Sequence, residues 1–280
     1  GGIEIQKSGF TDQVLPTLSA AILMSLLIPL IGFLILRFKF DVFNSAAIAA
    51  AYGSISAVTF ISAESFLESQ KIAFDGFMVG ALALMESPAI IVGLLLVKFA
   101  APKNRPKSRK MHLSAILHES LLNGSVYLLL SSLIVGFLTA SSNPSGIAKM
   151  EPFTGQLFYG AECFFLLDMG IVAAQRLPRL KSAGSFLIGF AIFMPLFNAF
   201  IGVFVARFLS LGPGNSLLFV VLCASASYLA VPAAMRMTVP EAKSSYYIST
   251  TLGLTFPFNI VLGIPIYMSL VNTIIPLSPL

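Results

Sequence analysis

The chain has no tryptophan, two cysteines and two histidines, and only 10% of its 280 residues are charged. Each shortage excludes something. A soluble domain carries about 25% charged residues. A chain that is 57% hydrophobic, with mean hydropathy +0.91, cannot hide its apolar surface in one water-facing globule. An all-α polytopic membrane protein is the reading that remains. Cys163 and Cys223 both fall inside apolar runs. Two lone thiols there make neither a disulfide framework nor a zinc site, so both are expected to be small buried hydrophobes. His112 and His118 lie in one polar stretch. A serine nucleophile in the apolar segments would therefore find no histidine base within reach, which argues against an intramembrane enzyme. "YGSIS" at 52–56 lacks the Gly-Lys-Ser/Thr ending of a phosphate loop. Without Trp, the seven Tyr are left to mark the interfaces. The net charge of +5 is then read as cytoplasmic loops, with no nucleic-acid partner.

What is present is a series of apolar runs long enough for a bilayer core, which needs about 20 residues per helix. Eight candidate spans are read: 13–38, 44–68, 72–100, 120–140, 152–175, 184–208, 216–235 and 245–270. The longest polar connection, 101–119, carries a basic cluster. With that loop placed in the cytoplasm and the sides alternating, all but four of the 17 Lys and Arg fall at inner ends. Lys7, Lys71, Lys149 and Arg207 are the four outside. The bias follows the positive-inside rule and favours eight spans. The basic loop, with Arg176 to Lys181, is either a topology signal alone or a cytoplasmic docking surface.

"GSIS" at 53–56 lies 171 residues before "ASAS" at 224–227, and "LALMESPAIIVG" at 82–93 lies 170 before "LGLTFPFNIVLG" at 252–263. "RF" at 37–38 returns at 207–208, again 170 on. One offset across three helices suggests two copies, and the alternating topology makes them inverted, the pattern of many secondary transporters. Residues 1–100 are then the remainder of the first copy, 101–119 the cytoplasmic linker and 120–280 the second copy. The same offset sets the counterparts of 120–175 ahead of residue 1, so the expectation is about one and a half further N-terminal helices and a five-plus-five plan.

Small and hydroxyl residues at membrane depth are, one at a time, ordinary packing glue. Matched runs in inverted copies point instead to two discontinuous helices crossing at the midplane. The second halves are expected to begin near Ala57 and near Tyr228, with Pro232 in a first turn. Two helix N-termini face an anion without any Lys or Arg. The candidate anion-site residues are Gly53, Ser54, Ile55, Ser56, Ala224, Ser225, Ala226, Ser227 and Tyr228. Carbonyls of the first halves and neutral side-chain oxygens suit Na⁺. Candidate cation ligands are Thr59, Glu86, Thr255 and Asn259, where Glu86 stands near Pro88 and Asn259 near Pro257. Glu86 is an acid at membrane depth; its alternatives are a structural acid or a proton carrier. Asp168 is read as a salt-bridge partner near Arg176, Glu162 as an interface or cation residue, and Asn198 as a polar group able to reach the site.

"YGSISAVTFISAESFLE", "CFFLLDMGIVAAQRL", "CASASYLAVPAAMR" and "LGLTFPFNIVLGIPIY" resemble the sodium-dependent bicarbonate transporter family. The resemblance runs over essentially the whole chain, although Glu86 and Asp168 exchange the acid type usual in the family at each position. It implies ten helices arranged like the bile-acid sodium symporters, and Na⁺-coupled import of bicarbonate across the inner (plasma) membrane. It also implies a homotrimer in the lipid bilayer and regulation by a PII-like protein. The anion would lie between the crossing helices at Gly53 to Ser56 and Ala224 to Tyr228. Alternatives by residue chemistry are a cation/proton antiporter using Glu86 and a sodium-coupled organic-anion symporter.

Overall fold

A computed structural model describes residues 2–8, 12–102, 124–142, 144–180 and 184–275, and all regular structure among them is helical. Of the expected loop 101–119, residues 103–119 lie outside the described residues. In chain order the elements are α1 (Gly2–Ser8), α2 (Val14–Leu36), α3 (Val42–Gly53), α4 (Ala57–Ser69), α5 (Phe77–Ala100), α6 (Gly124–Ser142) and α7 (Pro144–Glu151). A π-helical turn, Pro152–Gln156, leads into α8 (Leu157–Leu180). Then come α9 (Ser185–Phe208), α10 (Pro213–Ala224), α11 (Ala230–Thr238), α12 (Ser244–Thr250), α13 (Phe256–Phe258) and α14 (Ile264–Ile274). The last three are joined by π-helical stretches at Thr251–Thr255 and Asn259–Gly263.

Among the described residues, six helical stretches are long and apolar enough to cross a membrane: Val14–Leu36, Val42–Ser69, Phe77–Ala100, Ser145–Arg176, Ser185–Phe208 and Ser244–Ile274. They correspond to six of the eight candidate spans. The other two, 120–140 and 216–235, fall on the shorter apolar helices Leu130–Ser142 and Pro213–Ala224. In the second case the helix stops after 12 residues and restarts at Ala230, an interruption that an apolar run does not reveal.

Local chemistry sets several of these boundaries. Asp41 caps α3: it is extended (φ −65°, ψ 169°), and its carboxylate accepts from Phe43 N at 2.9 Å and Asn44 N at 3.1 Å. Burial raises the Asp41 pKa, but the hydrogen bonds from Asn44 and Phe43 outweigh it and leave the group below its usual value. The cap's contribution is therefore complete at neutral pH and is lost as the pH falls through that lowered value. Gly212 (ψ 161°) and Pro213 open α10 in the same place, the Pro N-terminal position needing no N–H.

These limits recur at one spacing. Val14 and Ser185, Val42 and Pro213, and Gly53 and Ala224 are each 171 residues apart, as are the capping bonds Ser45 Oγ to Phe40 O (3.3 Å) and Ser216 Oγ to Leu211 O (3.0 Å). So are Asn44 and Asn215. Asn44 Oδ1 accepts Lys243 N at 2.8 Å, just before α12. Asn215 Oδ1 accepts Asp75 N at 2.8 Å, just before α5, and Asn215 Nδ2 donates to Asp75 Oδ2 at 2.6 Å. Each broken helix thus grips the loop entering a distant helix. Asn215→Asp opposes two carboxylates and should cost about 1–3 kcal/mol, read as a lower melting temperature in detergent. Adding Asp75→Asn reverses the pair and should restore most of the loss; a double variant no better than the single one would refute the grip.

The core is built around α3 and α10. Ala46, Ala47, Ala49, Ala50 and Ala51 are all fully buried, which lets neighbouring helices approach closely, and every residue from Leu217 to Ala224 is buried as well. The helices α6 and α8 differ: Leu128, Phe164, Leu167 and Ile171 point away from the protein. Cys163 lies on α8 and is exposed, contrary to expectation, because an apolar side chain on a lightly packed spanning helix meets lipid; Cys223, in α10, is buried as expected.

Candidate functional site

The first break covers Ser54 to Ser56. Ser54 is extended (φ −95°, ψ 171°) while its N–H still closes α3 on Ala50 O at 3.1 Å. Ser56 (φ −116°, ψ 110°) is the N-cap of α4: its Oγ accepts from Thr59 N at 3.2 Å and from Thr59 Oγ1 at 2.9 Å. Helix geometry leaves the first-turn N–H groups of Ala57 and Val58 without an intrahelical acceptor, at the positive end of α4.

The second break begins the same way. Ser225 is extended (φ −76°, ψ 172°), with its N–H on Val221 O at 2.8 Å. It then runs longer. Helix α11 starts at Ala230, two residues beyond the Tyr228 expected, with Pro232 still in the first turn. The reason is a bond across the crossing: Ser227 N donates to Ala51 O at 2.8 Å, which holds Ser227 out of the helix, and its Oγ accepts from Val231 N at 3.2 Å.

The two breaks are bonded to each other in a second place, Ser56 N to Ser225 Oγ at 3.1 Å. Ser225 Oγ also donates to Leu222 O at 3.2 Å. The candidate anion residues are therefore brought together: Gly53, Ser54, Ile55, Ser56, Ala224, Ser225, Ala226, Ser227 and Tyr228 are all buried at this crossing. Three of them are occupied differently from expectation. Gly53 is turned toward the Pro29 ring of α2, so a side chain there meets that ring. The hydroxyls of Ser56 and Ser225 already serve the protein's own backbone. Tyr228 adds a buried hydroxyl on the Ser56 side, without a hydrogen bond of good geometry.

Two of the candidate cation ligands bond a break, and the other two bond the helix ends beside them. Thr59 bonds Ser56, and Ser54 Oγ donates to Glu86 O at 3.4 Å. Thr255 Oγ1 shares a 2.7 Å bond with Tyr52 OH and donates to Ala191 O at 2.8 Å. That carbonyl has no helical N–H partner because Pro195 follows four residues later. Asn259 Nδ2 donates to Ala224 O at 3.0 Å, and its Oδ1 accepts from Tyr267 OH at 2.6 Å. Glu86 is 6% exposed within α5. None of these bonds joins two of the four candidates to each other, and the oxygens of Thr255 and Asn259 are already engaged.

Tyr52, Tyr267 and Pro29 were not expected at the site. Tyr52 directly precedes the Gly-Ser run, a signal present in the sequence; the other two are brought in by packing alone. Glu162 accepts from Ser65 Oγ at 3.2 Å, between α8 and α4. Among the described residues no ion pair holds Asp168, which lies eight residues, about 12 Å of helix, from Arg176. Residues 1–272 match the family model of the Na⁺-dependent bicarbonate transporter superfamily. No curated protein matches the chain.

Proposed function

The chain belongs to the Na⁺-dependent bicarbonate transporter superfamily, and on that premise we propose that it imports bicarbonate coupled to Na⁺ by alternating access. The observation that carries this reading is the direct bonding of two helix breaks, Ser56 N to Ser225 Oγ and Ser227 N to Ala51 O, in a chain without a Lys or Arg at either break. On this reading, two inverted copies present the free N–H groups of α4 and α11 to a small oxyanion. Na⁺ travels as the coupled ion against the first-half carbonyls, with Thr59, Glu86, Thr255 and Asn259 contributing. It balances an anion entering against an inside-negative potential, worth about 2.3 kcal/mol per charge per 100 mV. The five-plus-five plan, an inner-membrane location, a homotrimer and a PII-like cytosolic regulator at the basic loop belong to the same proposal.

A second reading, cation/proton exchange through Glu86, is motivated by an acid buried in a spanning helix. Uptake of labelled bicarbonate into vesicles, with and without a Na⁺ gradient, decides between them. Concentrative uptake that needs Na⁺ supports symport. Glu86→Gln should then raise the half-saturating Na⁺ concentration several-fold, with the bicarbonate value little changed. Uptake that follows pH and ignores Na⁺, with that pH response lost in Glu86→Gln, would support exchange.

A further inference from the structure

Asn198 sits in the middle of α9 and is fully buried, yet neither its Nδ2 nor its Oδ1 has a hydrogen-bond partner. A buried carboxamide with both ends unpaired is costly, and such groups call for an account. Its level in the fold follows from its neighbour on the same face. Gly202, one turn away, faces Val220 and Cys223 of α10, with an added Cβ only 3.3 Å from each. The helices α9 and α10 are joined by the short link 209–212 and run antiparallel. One turn back along α9 therefore corresponds to the end of α10 at Ala224, where the second break begins. Asn198 is level with the second break, where Asn259 already serves Ala224 O.

The pairing chemistry selects the ligand. Na⁺ would satisfy Oδ1 and leave the two N–H donors of Nδ2 stranded. Chloride or nitrate would satisfy Nδ2 and leave Oδ1 stranded. A singly protonated oxyanion satisfies both: its C–O⁻ accepts from Nδ2 while its O–H donates to Oδ1, in one cyclic pair. We propose that Asn198 pairs with the protonated edge of the transported oxyanion and so selects bicarbonate over planar anions that have no O–H. This rests on the bicarbonate reading above. It assigns specificity to a group outside both breaks, and a site built to bond a hydroxyl discriminates strongly against analogues lacking one.

The test compares the wild type with Asn198→Leu, close in volume and without polar atoms. Labelled bicarbonate uptake is measured for each, with nitrate as competitor and Na⁺ varied at saturating bicarbonate. Surface abundance and melting temperature establish that the variant folds. Asn198→Leu should raise the half-saturating bicarbonate concentration by about tenfold or more, leave the Na⁺ value unchanged, and let nitrate compete relatively better. A shift in Na⁺ dependence alone would overturn the proposal and make Asn198 a cation ligand. Unchanged kinetics in a folded Leu variant would overturn it too, leaving a carboxamide served by water. If the wild type takes up no bicarbonate, the transport reading itself has failed, and the two failures are told apart by that control.

Discussion

Gly53→Ala, one added methyl group, should lower bicarbonate uptake by more than about tenfold. The new Cβ would lie 2.4 Å from Cδ and 2.6 Å from Cγ of Pro29, and 3.0 Å from its Cβ. A proline ring has no flexible end to swing aside, so α2 and α3 must separate. Gly53 is the last residue of α3, and Ser54 to Ser56 follow directly. The displacement therefore passes straight into the break and its bond to Ser225. Overpacking of this kind costs about 1–3 kcal/mol in an ordinary core. Pro29→Ala in the same chain removes the two nearest atoms and should return most of the uptake. Uptake per molecule at the membrane is the measure; normal rates in Gly53→Ala, or no rescue by Pro29→Ala, would remove the contact from the account.

Ser225→Ala should impair transport more than Ser227→Ala. The Ser225 hydroxyl is the acceptor for Ser56 N, the N–H of the residue that caps α4. Without it a buried N–H is left unpaired between the breaks, at a cost of about 1–3 kcal/mol. The Ser227 side chain takes only Val231 N, while the link to Ala51 O uses the Ser227 backbone and survives substitution. The Ser225 variant should therefore show about a tenfold rise in half-saturating bicarbonate, and the Ser227 variant a smaller one. Equal effects from the two would mean that the link between the breaks does not govern the site.

Much of the crossing was legible because its signals are local. Ser56 is a capping residue three positions before Thr59, and the restart of the helix at Ala57 follows from that. The extended residues after Gly53 and Ala224 come from serine-rich runs that compete with helix through their own hydroxyls. The restart at Ala230 was not legible, because the bond from Ser227 to Ala51 spans most of the chain. Gly53 as a packing residue was hidden for the same reason: its partner, Pro29, is on another helix. A hydropathy run sees composition along a line, so it merged α10, the second break and α11 into one span. It also gave Cys163 an interior place, since it cannot separate a face turned to protein from one turned to lipid. Asn44 and Asn215 carried a signal in their common spacing, yet a polar residue near a helix start has a simpler meaning until its distant partner is known.

The grip that Asn44 exerts has a consequence for the order in which the chain is made. Its acceptor oxygen waits for Lys243, 199 residues later. At about 5–20 residues per second of synthesis, that interval is roughly 10–40 s. The Ala51 carbonyl likewise waits for Ser227. Through that time the first broken helix is already translated, with the Asn44 amide oxygen and its open carbonyl end unmatched, while the Asn44 amide nitrogen already bonds Asp41. The early half of the molecule is thus a substrate for whatever shelters unfinished membrane helices. Both partners are supplied only when the second crossing arrives.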